Sequence, residues 1–206
     1  MADTEIHAKL FVMDTGPLIT LAAADSLDYL LYPDVPVYIP DAVLYEATVK
    51  SGALGAENIA LWVQEHPDLV RPIVTRAYVD FLTLRGTNST YRARDLGEQA
   101  ALEAIRYGLP LAKNERAVLL TEDDKAVKVF VLPQDLERLI PLMTFDFLTG
   151  LERAGRINSA EEVYRRAAEA GRHAGQDSVI KAQHELAQSA VEKLLRRTGS
   201  DTTDGS

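Results

Sequence analysis

The run Leu10-Phe11-Val12-Met13 stops at an acid, Asp14, and Thr15-Gly16-Pro17 follow at once. Consecutive apolar residues bounded by turn residues read as a short buried strand. A strand apolar on both faces suits a parallel sheet covered by helices. Gly16 then bends the chain, and Pro17 fits the first turn of a helix. The carboxylate therefore falls at the carboxyl end of a buried strand, where open α/β sheets take their ligands. Taken alone, the stretch is explained as well by a helix N-cap at Asp14 or Thr15.

The pattern then alternates. Residues 18–31 read as helical with a break at Asp25-Ser26, and Val37, Tyr38 and Ile39 form a second short strand. Pro40-Asp41 opens the helix that carries Glu46. Residues 56–65 read as a helix with Trp62 facing inward. Residues 69–75 read as a strand that Pro72 confines to a sheet edge. A helix over 76–84, a polar loop over 85–92 and a central helix over 96–107 stopped by Gly108 come next. Strands at 117–121 and 141–144 and helices at 124–130 and 145–153 complete the alternation. Strands alternating with helices predict an α/β fold, a three-layer α/β/α sandwich on a central parallel sheet.

The remainder reads as a C-terminal helical extension, 158–197, and a disordered tail, 198–206, beside a main domain of 1–157. Ser159 and Glu162 match a capping box that opens a helix to about residue 170. Residues 177–197 are amphipathic at helical spacing.

Composition sets limits. The 206 residues include no cysteine. Disulfides, thiolate zinc sites and a cysteine nucleophile are thereby excluded, and a reducing cytoplasm suits the chain. No apolar run approaches the ~20 residues of a membrane span. The first residues, with Asp3, Glu5 and His7, do not read as a signal peptide. A formal net charge of −9 argues against a protein that holds nucleic acid chiefly through non-specific phosphate contacts. Arg85, Arg92 and Arg94 before Asp95, and Arg106, Lys113 and Arg116 after it, are each explained by a solvated face.

Further acids lie just past strand ends or on the helices beside them: Glu46, Glu98, Asp123 and Asp124. Each has a local explanation. Asp95 and Glu98 match a capping box, and Asp123 or Asp124 would cap the next helix. Jointly they suggest a shared site, because gathered carboxylates repel one another and a divalent cation offsets that cost. Carboxylates without cysteine select hard cations, Mg²⁺ or Mn²⁺. His7, His66, His173 and His184 are scattered without paired ligand spacing, so no zinc site is expected. Two such ions ~3.5–4 Å apart are a standard device for phosphodiester hydrolysis.

Four stretches in order, residues 13–19, 39–46, 95–101 and 119–123, resemble the successive motifs of the PIN domain family, the nucleases that include the VapC-type toxins of toxin–antitoxin pairs. The resemblance covers residues 9–157. It implies a Mg²⁺- or Mn²⁺-dependent endoribonuclease that leaves 5′-phosphate and 3′-hydroxyl ends. By the same resemblance Asp14, Glu46, Glu98 and Asp123 form the acidic quartet. Asp14 and Asp123 are the principal metal ligands, Glu98 is close by, and Glu46 acts directly or through water. Thr121 hydrogen-bonds a ligand or phosphate, with Thr15 beside Asp14. The fourth acid is Glu122, Asp123 or Asp124, and Asp95 competes with Glu98 as the third. An RNA substrate, an antitoxin protein and a homodimer are the implied partners. The alternative is a non-catalytic domain of the same fold that binds a partner through residues 177–197. A phosphatase or receiver-type domain is disfavoured: a haloacid-dehalogenase nucleophile pattern wants a second aspartate where Gly16 stands, and the receiver order of a mid-chain strand-end aspartate and a late lysine is not found.

Overall fold

The computed structural model describes residues 7–49, 53–112, 115–123 and 138–172. Five strands, β1 (His7–Val12), β2 (Val37–Pro40), β3 (Val70–Ile73), β4 (Glu115–Thr121) and β5 (Leu139–Met143), form one sheet in the order β3-β2-β1-β4-β5. Every pairing is parallel. Chain order runs outward from β1 through β2 to β3, then returns to the other side of β1 for β4 and β5. The strand order therefore reverses between β1 and β4. Such a switch point, at the strands' carboxyl ends, is where open α/β sheets take their ligands.

The helices are α1 (Thr15–Ala23), α2 (Asp41–Val49), α3 (Ala56–Glu65), α4 (Arg76–Thr87), α5 (Leu96–Glu103), α6 (Thr144–Arg153) and α7 (Ala160–Glu169). Alternation along β1 divides the core. Leu10 and Val12 join α1, α3, α6 and α7 on one face, whereas Phe11 and Met13 join α5 on the other. That arrangement gives three layers, helices on both sides of a parallel sheet. Phe147, Leu148 and Leu151 of α6 are fully buried, and each side chain so placed contributes roughly 1.5–3 kcal/mol.

Several expectations need correction. The residues assigned to a polar loop from Arg85 instead continue α4 to Thr87. The guanidinium of Arg85 lies over the rings of Tyr45 and Phe81, a tertiary contact that local polarity cannot reveal. The single helix expected over 96–107 is α5 followed by a π turn, Ala104–Gly108. The first helix of the C-terminal extension, α7, packs into the core. Ala160, Val163 and Ala167 are buried in the same cluster as Leu10 and Leu18.

Pro72 does sit in the edge strand, Trp62 is buried, and Ser159 caps α7 by accepting from the Glu162 N–H. The helix expected over 124–130, the amphipathic stretch 177–197 and the tail 198–206 lie outside the described residues. Among the described residues no helix is long and apolar enough to cross a membrane.

Candidate functional site

Asp14 stands at the switch point. The β1–β4 register runs to Val12 opposite Leu120, and the Met13 N–H donates to the Leu120 carbonyl at 2.8 Å. Asp14 and Thr121-Glu122 therefore leave the sheet side by side. Oδ1 of Asp14 accepts the Gly16 N–H at 2.7 Å, so the N-cap role is real. Oδ2 accepts the Glu122 N–H at 3.1 Å and also the Thr121 hydroxyl. The carboxylate thus caps α1 and bridges to the end of β4 in one contact set. Burial pushes the Asp14 carboxyl above its ordinary value. The hydrogen bonds from Thr121, Glu122 and Gly16 oppose that shift, and the charge of Glu122 adds to it. A carboxylate offers about four lone-pair sites, so among the described residues Oδ1 keeps one beyond the Gly16 bond.

Of the candidates for the fourth acid, Glu122 has its carboxylate close to Asp14, and its charge acts on the Asp14 carboxyl. A Cβ on residue 16 would lie 2.8 Å from Asp14 Oδ1 and 2.9 Å from Glu122 Oε2, so both carboxylates crowd one point that glycine leaves open. Asp123 is exposed, and its N–H donates to the Thr121 hydroxyl oxygen at 3.0 Å. Asp124 lies outside the described residues. Thr15 opens α1 directly after Asp14 and is half-buried.

Glu46 and Glu98 belong to a second locus, formed where α2 packs on α5. Oε1 of Glu46 accepts the Gly97 N–H at 3.1 Å, in the first turn of α5. The local capping box is not formed. Asp95 takes a left-handed conformation, φ 54° and ψ 36°, with no side-chain cap bond. A helix donor expected to be satisfied from within the loop is satisfied from α2 instead. Asp95 and Glu98 are both exposed, and Asp95 pairs with Arg94 at 3.4 Å.

Two residues absent from the sequence reading complete the Asp14 locus. The Arg172 guanidinium pairs with Glu122 Oε2 at 2.9 Å. The Tyr164 hydroxyl donates to Oε1 at 3.4 Å. Burial and the neighbouring Glu122 charge raise the Tyr164 phenol, keeping it a donor. Neither residue carries a local motif, so nothing at positions 164 or 172 marks them in advance.

Among the described residues no three histidine, aspartate or glutamate side chains stand together as a metal-holding group. The quartet is thus not gathered into one cluster there. The donors do fit a hard cation in type: among the described residues the acceptors at the Asp14 locus are carboxylate and hydroxyl oxygens, with the Arg172 guanidinium beside them. Mg²⁺ is commonly held by one or two carboxylates, with water and substrate phosphate completing its shell. Asp14 has the spare lone pair for such an ion, and Glu122 and Asp123 stand on the turn that faces it. No family model, curated protein or solved structure matches the chain.

Proposed function

We propose that the protein is a Mg²⁺- or Mn²⁺-dependent endoribonuclease of PIN-like fold, acting in the cytoplasm on RNA, in the manner of the toxin of a toxin–antitoxin pair. The observation that carries the reading is the position of Asp14. A partly buried carboxylate, raised by desolvation, stands at the switch point between β1 and β4. Bringing a charge there is costly, and ligand sites are where such costs are found.

A bound divalent ion would supply an activated water and neutralise charge developing on the scissile phosphate. Asp14 would hold it, with Asp123 and Glu122 on the facing turn. The Thr121 hydroxyl fixes Oδ2 of Asp14, and the Gly16 N–H fixes Oδ1, so the carboxylate is oriented before any ion arrives. Glu46 holds the first turn of α5 and so places Glu98 at the margin of the second locus. Such pre-orientation is what catalytic constellations require of their supporting residues. Substrate binding must then rest on local cations, because the net charge is −9.

Calorimetric titration with Mn²⁺ tests the assignment of Asp14. Wild type is expected to bind and Asp14→Asn is expected not to. Equal binding by the two proteins removes Asp14 from the site.

A further inference from the structure

Two carboxylates face each other across Gly16, and a cation from the end of α7 already attends one of them. Arg172 donates to Glu122 Oε2 through one terminal nitrogen at 2.9 Å. Its Nε donates to the Thr20 hydroxyl at 3.2 Å. Thr20 is buried in α1, so the guanidinium is held between α1 and the turn after β4. The pair is largely shielded, with side-chain exposures of 28% for Arg172 and 13% for Glu122. Tyr164 takes the other Glu122 oxygen, and its ring is fixed edge-on against Phe145 at 5.3 Å. Both Glu122 oxygens are therefore committed to residues beyond 157, outside the stretch that carries the family resemblance.

We propose that Arg172 is a positioning residue that acts through Glu122: it is a resident counter-cation that withholds Glu122 from a divalent ion at Asp14. The proposal rests on the reading of Asp14 as a cation site. Its physical basis is competition. Two cations cannot both take full advantage of one carboxylate at short range, and a guanidinium repels a second positive charge placed beside it. Arg172 thus lowers the cation affinity of the locus, and its displacement raises it. Asp14 keeps its own hydrogen bonds in either state.

Thermal unfolding of the full chain, in EDTA and across a MnCl₂ series, tests this with wild type, Arg172→Gln and Arg172→Gln/Glu122→Gln. In EDTA, Arg172→Gln should melt below wild type, because Glu122 then faces Asp14 uncompensated, and the double variant should recover much of the loss. In MnCl₂, Arg172→Gln should show a larger upward shift. Its half-saturation should fall at Mn²⁺ lower on the order of tenfold, the scale of one shielded charge-assisted contact. The double variant loses a neutral pair and should saturate with wild type, which keeps the comparison readable if Arg172→Gln does not fold. Equal Mn²⁺ response in wild type and Arg172→Gln overturns the proposal and leaves the cation site standing. A double variant that saturates far later than wild type also overturns it, since Glu122 is then itself a ligand. No Mn²⁺ shift in any of the three proteins overturns the cation reading and the proposal together.

Discussion

The Gly97 N–H donates to Oε1 of Glu46 at 3.1 Å, tying the first turn of α5 to α2 across more than fifty positions of sequence. A Cβ on residue 97 would lie 2.7 Å from Oε2 of the same carboxylate. Gly97→Ala should therefore push the Glu46 carboxylate off the Gly97 N–H, losing a charge-assisted bond of about 1.5–3 kcal/mol against the roughly 0.5–1 kcal/mol that alanine gains in a helix. Gly86→Ala is the control. Nothing lies within 4 Å of its added methyl, and alanine in a helix gains roughly 0.5–1 kcal/mol over glycine. Urea midpoints of the two variants should move in opposite directions.

Thr121→Val should be more costly than its single-atom change suggests. The hydroxyl of this fully buried residue donates to Asp14 and accepts the Asp123 N–H at 3.0 Å. Leaving buried partners unsatisfied costs about 1–3 kcal/mol. Thr121→Ser keeps the oxygen and should lie close to wild type. Denaturant unfolding of both variants separates the hydroxyl's contribution from the methyl's.

These pairings show which parts of the fold can be read from sequence. Leu10 to Met13 is apolar without interruption because both faces of β1 are covered. Pro72 reads as an edge residue because proline removes a ladder donor. Such signals are local. Arg85 over Tyr45, Glu46 on Gly97 and Arg172 on Glu122 are not, since each depends on elements distant in the chain. The candidate acids share this division. Asp14 is legible as an acid at a strand end, whereas the proximity of Glu122 to it depends on the turn after β4 and on α7. The capping box at Asp95 and Glu98 fits the local pattern, yet Asp95 adopts φ 54° and Glu46 serves the helix in its place.

Asp14 should give stability a definite pH dependence. Its folded carboxyl is raised above the ordinary 3.8, so the native state holds the proton more tightly than the unfolded chain. Stability from this group is complete below the unfolded value and is lost as pH rises through the folded one. Metal-free wild type should therefore lose stability, relative to Asp14→Asn, as pH is raised from 3.8 towards neutrality. Thermal melts of both proteins in EDTA across that range test the sign. A difference that does not vary with pH contradicts the assigned burial of charge.

Truncation should distinguish the two parts of the C-terminal region. Ending the chain after Arg156 removes α7 and the buried Ala160, Val163 and Ala167. Apolar burial contributes about 25 cal/mol per Å², so the loss of an entire packed helix face should unfold or strongly destabilise the protein. Ending it after Arg172 retains every contact described for the core and for Glu122. That shorter chain should keep the Arg172–Glu122 pair and any cleavage activity that depends on the Asp14 locus, as an RNA assay would show. Loss of activity with the fold intact would move weight to the later residues.

The most direct test of the central claim is cleavage of a single-stranded RNA library by purified wild type and Asp14→Asn, each in Mg²⁺, in Mn²⁺ and in EDTA. Metal-dependent cleavage by wild type is expected, with loss of activity in EDTA and a fall of at least about a hundredfold in Asp14→Asn, the scale of losing one group that stabilises transition-state charge. Cleavage that survives both EDTA and the substitution, or a wild type that cuts no RNA in either metal, contradicts the account.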